Sequence, residues 1–144
     1  MFDCKEVLLR QIRLGADSRI GFQEVRFAGQ RVAGPSRDAL ADELAAFANA
    51  EGGVCVLGVR DEDRQVQGVP MESLDTFERF VNEICVDSIE PQLFVRIERM
   101  QLPQSSGSPA VVLKVSVAPS LFVHRSPGDH TALRARMSPK GDDV

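Results

Sequence analysis

The chain contains no tryptophan and no tyrosine. Its aromatic character rests on eight phenylalanines, so stacking platforms for nucleobases are scarce. Histidine is almost as rare. His124 and His130 lie in a proline-rich stretch without cysteine partners, a poor zinc site, and neither stands near a serine or cysteine in a pattern that suits a hydrolase triad. The three cysteines, Cys4, Cys55 and Cys85, are odd in number and form no Cys-x-x-Cys pair, which points to reduced thiols. No apolar run approaches the roughly 20 residues a membrane helix needs. The start, Met-Phe-Asp-Cys-Lys-Glu, lacks the apolar core of a signal peptide, so the expectation is a cytoplasmic protein with no membrane association. No Gly-x-x-x-x-Gly-Lys-Ser/Thr is present, which excludes a P-loop.

What is present suits one globular domain. The 144 residues are 43% hydrophobic and 26% charged. The net charge of −4 is unevenly spread. Residues 1–40 carry seven Lys/Arg against five Asp/Glu, residues 41–90 three against twelve, and residues 91–144 seven against four. The two ends therefore suggest a basic face and the middle an acidic one.

The most informative stretch runs from Leu44 to Val59. Leu40, Leu44, Phe47 and Ala48 recur at the spacing of a helix buried on one side, with Ser36 as its N-cap and Asp38 in its first turn. Asn49 closes the pattern. Gly52 and Gly53 can take positive φ and stop the helix. Val54 to Leu57 is wholly apolar, a central strand covered on both faces, followed by Gly58-Val59 and a charged turn.

The other elements are arranged around this core. Asp3-x-x-Glu6 fits a capping box and Phe2 with Val7 a hydrophobic staple, predicting a helix over about Cys4–Arg13 with Val7, Leu8 and Ile12 facing inward and Gly15 after it. Ile20–Phe27 reads as a strand and Ala28–Pro35 as a loop. Val66–Val69 reads as a hairpin partner of the central strand. Leu74, Phe77, Phe80, Val81, Ile84 and Cys85 give a second amphipathic helix to about Asp87. Leu93, Val95 and Ile97 alternate as a strand, Pro103–Pro109 is a loop, and Val111, Leu113, Val115 and Val117 form a returning strand with Lys114 on its other side. Thr131–Arg136 is expected as a last short strand and residues 138–144 as a flexible tail. The order predicts an α+β domain over residues 1–137, a mixed sheet with packed helices.

Phe47-Ala48-Asn49-x-x-Gly52-Gly53, the apolar strand, Gly58-Val59 and then Gly68-Val69-Pro70 resemble the Schlafen/AlbA-like domain, also called the divergent AAA domain, which occurs in bacterial proteins taken to be transcriptional regulators. The resemblance spans about residues 7–136. It implies nucleic-acid binding, DNA or RNA, in a regulatory role. Family members that cleave RNA carry an acidic trio around a Glu-Phe-Lys segment and after the central strand. Here Phe22 remains, but those positions hold Ala16, Gly21 and Arg60, and Gln23 stands for the lysine. The expectation is a non-catalytic domain with no metal and no cofactor. Asp17, Glu24 and Asp61 lie one to three residues away, and on a strand one step reverses the face.

The candidate phosphate contacts are Arg19, Arg26, Arg31, Arg37 and Arg60, with Arg134 and Arg136 near the tail, where the resemblance implies a basic strand. Each competes with the plain reading of a solvated surface arginine, and Asn49 with that of a helix-end cap. The alternatives are a non-catalytic protein-interaction or dimerisation module and, further off, a metal-dependent nuclease or ATP-binding domain. Edge strands left by so few elements, together with the pairing habit of Alba-like folds, imply a homodimer.

Overall fold

In the computed structural model, the strand expected to be covered on both faces is buried at every residue, Gly53–Leu57. The structure describes residues 2–104 and 107–127. In chain order the elements are helix α1 (Lys5–Leu14), strands β1 (Ile20–Gln23), β2 (Arg26–Ala28) and β3 (Arg31–Gly34), helix α2 (Arg37–Asn49), strand β4 (Gly53–Leu57), helix α3 (Leu74–Asp87) after a 3-10 turn at Met71–Ser73, and strands β5 (Arg96–Leu102) and β6 (Ala110–Val117). Four strands form a mixed sheet in the order β1-β4-β6-β5, and β2 pairs with β3 in a separate ribbon. β1 runs parallel to β4, with Gly21 opposite Cys55, whereas β4–β6 and β6–β5 are antiparallel. This is the α+β class read from the pattern.

The two faces of the sheet carry separate apolar clusters. Leu40, Leu44 and Phe47 of α2 and Phe77, Val81 and Ile84 of α3 pack against Cys55, Leu57, Leu113 and Val115. On the opposite face, Leu8 and Ile12 of α1 cover Ile20, Phe22, Val54, Val56 and Val112. The alternation of side chains along each strand makes this division. β4 feeds both clusters, which is why its sequence shows no polar alternation. Among the described residues, no helix is long and apolar enough to cross a membrane.

The α2 boundaries agree with the sequence. Ser36 Oγ accepts from Ala39 N, and the amides of Ala50 and Gly52 close the far end on Phe47 O. Only Gly52 takes positive φ, at +82°. Gly53 already belongs to β4, and its role is steric. A Cβ there would collide with the Phe47 ring and stand 2.8 Å from Arg19 O.

Several expectations are corrected. The N-cap of α1 is Cys4, with no side-chain cap, because Asp3 is drawn away to Lys114. Val7 is exposed while Phe2 packs on the α1-side cluster, so the staple does not form. The strand expected over Ile20–Phe27 breaks after Gln23 and resumes at Arg26 as β2, and the stretch expected as a loop contains the turn of the β2–β3 ribbon and all of β3. Val66 makes only a single bridge to Val59, because Gln67 N and Gly68 N both turn onto Gly58 O and Val69 N goes to Val111 O. β5 starts at Arg96 instead of Leu93, whose amide is taken by Cys85 O. Thr131–Arg136, His130 and the tail lie outside the described residues.

Lys114 is the largest departure from the pattern. It sits in β6 on the side that looked polar, yet only 1% of it is exposed. Its ammonium donates to Asp3 Oδ1 at 2.7 Å and lies 3.3 Å from Glu98 Oε1. A buried charge is tolerable when it is paired in this way.

This packing has two measurable outcomes. Gly53→Ala should destabilise the domain by about 1–3 kcal/mol through overpacking against Phe47, read as a lower urea midpoint at unchanged slope. The Asp3 carboxyl is lowered from 3.8 to about 2, chiefly by its hydrogen bond to Lys114. A folded value below the unfolded one means that the contact's contribution is complete above the unfolded pKa and lost as pH falls through the folded one. The melting temperature of the native chain should therefore fall more steeply between pH 3.8 and about 2 than that of Asp3→Asn.

Candidate nucleic-acid interface

β1 and β4 are parallel neighbours, and their C-terminal ends open on the same side of the sheet. A cleft of about 320 Å³ lies there, lined by Gln23, Glu24, Arg26, Arg60, Asp61 and Glu62 among others. The chain reaches it from β1 through Gln23 and Glu24, and from β4 through Gly58, whose φ of +112° turns the backbone towards Arg60. A side chain on Gly58 would press on Gly68 Cα at 3.2 Å.

The structure brings together two of the arginines singled out above, Arg26 and Arg60. They differ in freedom. Arg60 Nη2 is 2.6 Å from Asp63 Oδ2, and its amide bonds to Gln65 O, so its charge is shared within its own turn. Arg26 makes no ion pair among the described residues. Its guanidinium lies over Gly34, where a Cβ would stand 2.9 Å from Nε and Nη2. The remaining arginines lie elsewhere. Arg19, before β1, pairs with Glu51. Arg37 lies 3.9 Å from Glu83 and 5.7 Å above the Phe80 ring. Arg31 is exposed at the turn of the β2–β3 ribbon, and Arg134 and Arg136 lie outside the described residues.

The position that the resemblance marks for a catalytic acid, Gly21, has its side-chain space filled. A Cβ on Gly21 would collide with Glu43 Oε2, which reaches across from α2. Glu43 Oε1 accepts from Gln23 Nε2 at 2.8 Å and from Cys55 Sγ at 3.3 Å. Burial first, and then this carboxylate, push the Cys55 thiol well above its ordinary value, so it stays protonated. Sequence reasoning missed Glu43. The available signal was its place one turn from both Leu40 and Phe47, at the border of the buried stripe. A divalent ion does not fit the three marked positions as they stand. Ala16 and Gly21 offer no side-chain oxygen, and Arg60 adds a positive charge. Among the described residues, no group of three or more His, Cys, Asp or Glu side chains could hold a metal ion.

The residues of the Phe-Ala-Asn motif are structural in their geometry, as is Phe22. Phe22 is buried on the α1 face and Phe47 on the other. Asn49 does not cap α2. Its Nδ2 donates to His124 O at 2.9 Å and its Oδ1 accepts from His124 N at 2.7 Å. His124 is itself buried, with ring nitrogens on Pro91 O and Ser120 Oγ. A family profile described as Schlafen, AlbA_2 matches residues 23–138. The chain belongs to the Schlafen, AlbA_2 family. Among solved structures it is similar to the DIP2311 protein from Corynebacterium diphtheriae, with 20% identity and a TM-score of 0.52 over 85% of this chain. That likeness concerns the fold, and the match covers 23% of the DIP2311 chain. No curated protein matches in sequence.

Within the family motif, Asn49 thus acts as a clamp on the segment after β6. Asn49→Ala should leave the His124 amide and carbonyl without these partners and cost about 1–3 kcal/mol. Limited proteolysis should then cut between Pro119 and Pro127 faster than in the native chain.

Proposed function

We propose that this domain binds nucleic acid through phosphate contacts at the cleft beyond β1 and β4, in a regulatory role and without cleaving what it holds. The observation that carries this reading is Arg26, a guanidinium seated on Gly34 at the cleft and free of any ion pair among the described residues. Family membership supports a nucleic-acid-binding type of domain. The field of the cleft is mixed, because Glu24, Asp61 and Glu62 share it with the two arginines. Binding of this kind is modest, insensitive to base sequence and steeply dependent on salt.

The non-catalytic part rests on the marked positions. Glu43, the carboxylate nearest Gly21, is engaged by Gln23 and Cys55, and Arg60, paired with Asp63, supplies no oxygen ligand where the third acid is marked. A second reading, a protein-interaction module, draws on a different observation. Leu121, Phe122 and Val123 stand out in solvent, Leu121 at 99% exposure, on a segment whose backbone is pinned by Asn49 and by the Glu90–Arg125 bridge.

The test is fluorescence anisotropy with random-sequence single-stranded DNA, RNA and duplex DNA at low and moderate salt. Arg26→Ala should weaken binding to all sequences alike and reduce the slope of log K against log salt by about one. Absence of salt-dependent binding sinks the proposal in favour of the interaction module. Cleavage in Mg²⁺ or Mn²⁺ that disappears in Asp61→Ala or Glu24→Ala overturns its non-catalytic half.

A further inference from the structure

The four-stranded sheet has two edges, β1 and β5. β1 is four residues long, and the chain leaves it almost at once for the β2–β3 ribbon. β5 is seven residues long and among the described residues pairs only with β6. Its outer side therefore carries unpaired amides and carbonyls, a template for another strand. Phe94, just ahead of it, is 79% exposed. That is a large apolar cost at the mouth of an open edge.

The sequence of this edge, Phe94-Val95-Arg96-Ile97-Glu98-Arg99-Met100, fits a second copy of itself. An antiparallel pair about a two-fold axis normal to the sheet places one residue opposite its own counterpart. With Ile97 at that point, Arg96 faces Glu98 of the other copy and Glu98 faces Arg96. Val95 then lies opposite the stem of Arg99, and Phe94 opposite Met100. One step in either direction instead opposes Arg96 to Arg96 or Glu98 to Glu98, and like charges directly opposite each other destabilise a pair. Glu98 is already held for this role, 3.3 Å from the buried Lys114 and 3.4 Å from Arg96 of its own strand. Arg96 is 77% exposed and has room to turn outward. Strand alternation puts Phe94, Arg96 and Glu98 on one face, the face on which Glu98 meets Lys114 and Asp3, so these side chains share the side that the pairing requires. Val95 and Ile97 pack on the opposite cluster.

We propose that β5 is the seam of a homodimer, in which two copies join edge to edge, antiparallel, with the two-fold axis at Ile97 and a continuous eight-stranded sheet. The occupant is a second copy because the order of charges along β5 is complementary to its own reverse. This does not depend on the nucleic-acid reading. It would bury the apolar ring of Phe94 against Met100 and satisfy the open amides of β5.

Light scattering on the native chain should give twice 15.8 kDa. Arg96→Glu sets like charges against each other twice and should raise the dimer dissociation constant by roughly tenfold or more. The register is read by cross-linking in a Cys4→Ser background, since Cys55 and Cys85 are buried. Ile97→Cys keeps a small apolar side chain and brings the two sulfurs to the separation of directly opposed residues, so mild oxidation should give a covalent dimer. Gln101→Cys places the two sulfurs about 27 Å apart, eight residues along the seam, and should stay unlinked. Should Arg96→Glu lose its native circular dichroism, the two cysteine variants still decide the register. A native chain that is monomeric at its highest soluble concentration overturns the proposal. So does a dimer that cross-links at residue 101 and not at 97, or one indifferent to a folded Arg96→Glu.

Discussion

The Phe47 ring lies directly against the backbone at Gly53. No side chain fits between them, and much else depends on that. It lets α2 lie directly on the start of β4. It leaves Arg19 O beside Gly53, where it accepts from Val54 N at 2.8 Å and sets the parallel register of β1. β4 then pairs with β6 on its other side, and its alternate residues seed both apolar clusters. The preceding glycine has a different task. Gly52 takes the left-handed conformation that turns the chain, and a side chain there would meet Val117 O at 2.7 Å.

Charges separated along the sequence are interleaved in space. The acidic middle of the chain supplies partners to arginines from both ends. Glu51 takes Arg19, Glu83 takes Arg37, and Asp75 and Glu78 hold Arg99 at 2.6 Å each. Exposed pairs of this kind add little stability, but they neutralise the cations locally. The basic face suggested by segment totals is therefore dispersed among the described residues. Arg26, set on the short β2–β3 ribbon, escapes this neutralisation and is exposed beside the cleft.

Elements with strong local signals were legible in the sequence. α2 has a serine cap, an apolar stripe and a glycine stop; α3 has helical spacing; β4 and β6 have their apolar residues. What misled was context that no local pattern contains. Lys114 looked like a solvent-facing residue because alternation cannot reveal that Asp3 and the start of α1 lie over that face. The β2–β3 ribbon hid behind Gly29 and Pro35, which read equally well as loop residues. Of the site, Arg26 and Arg60 are legible in the sequence. Glu43 is not, since its meeting with Gly21 joins a helix to a strand that is distant along the chain. Asn49 stands out in its motif, but its partner lies 75 residues away and no periodicity points to it.

Two of these contacts join residues far apart in the chain. Asp3 meets Lys114 across 111 residues, and Asn49 meets His124 across 75. During synthesis from the N-terminus, α1 and α2 are complete long before either partner exists. The lysine that anchors the first segment arrives with β6, and the backbone that Asn49 grips comes later still. A nascent chain halted before β6 has no Lys114 and lacks the strand that pairs with both β4 and β5. The loop-closure entropy of these long contacts can be offset only once β6 and the segment after it are in place.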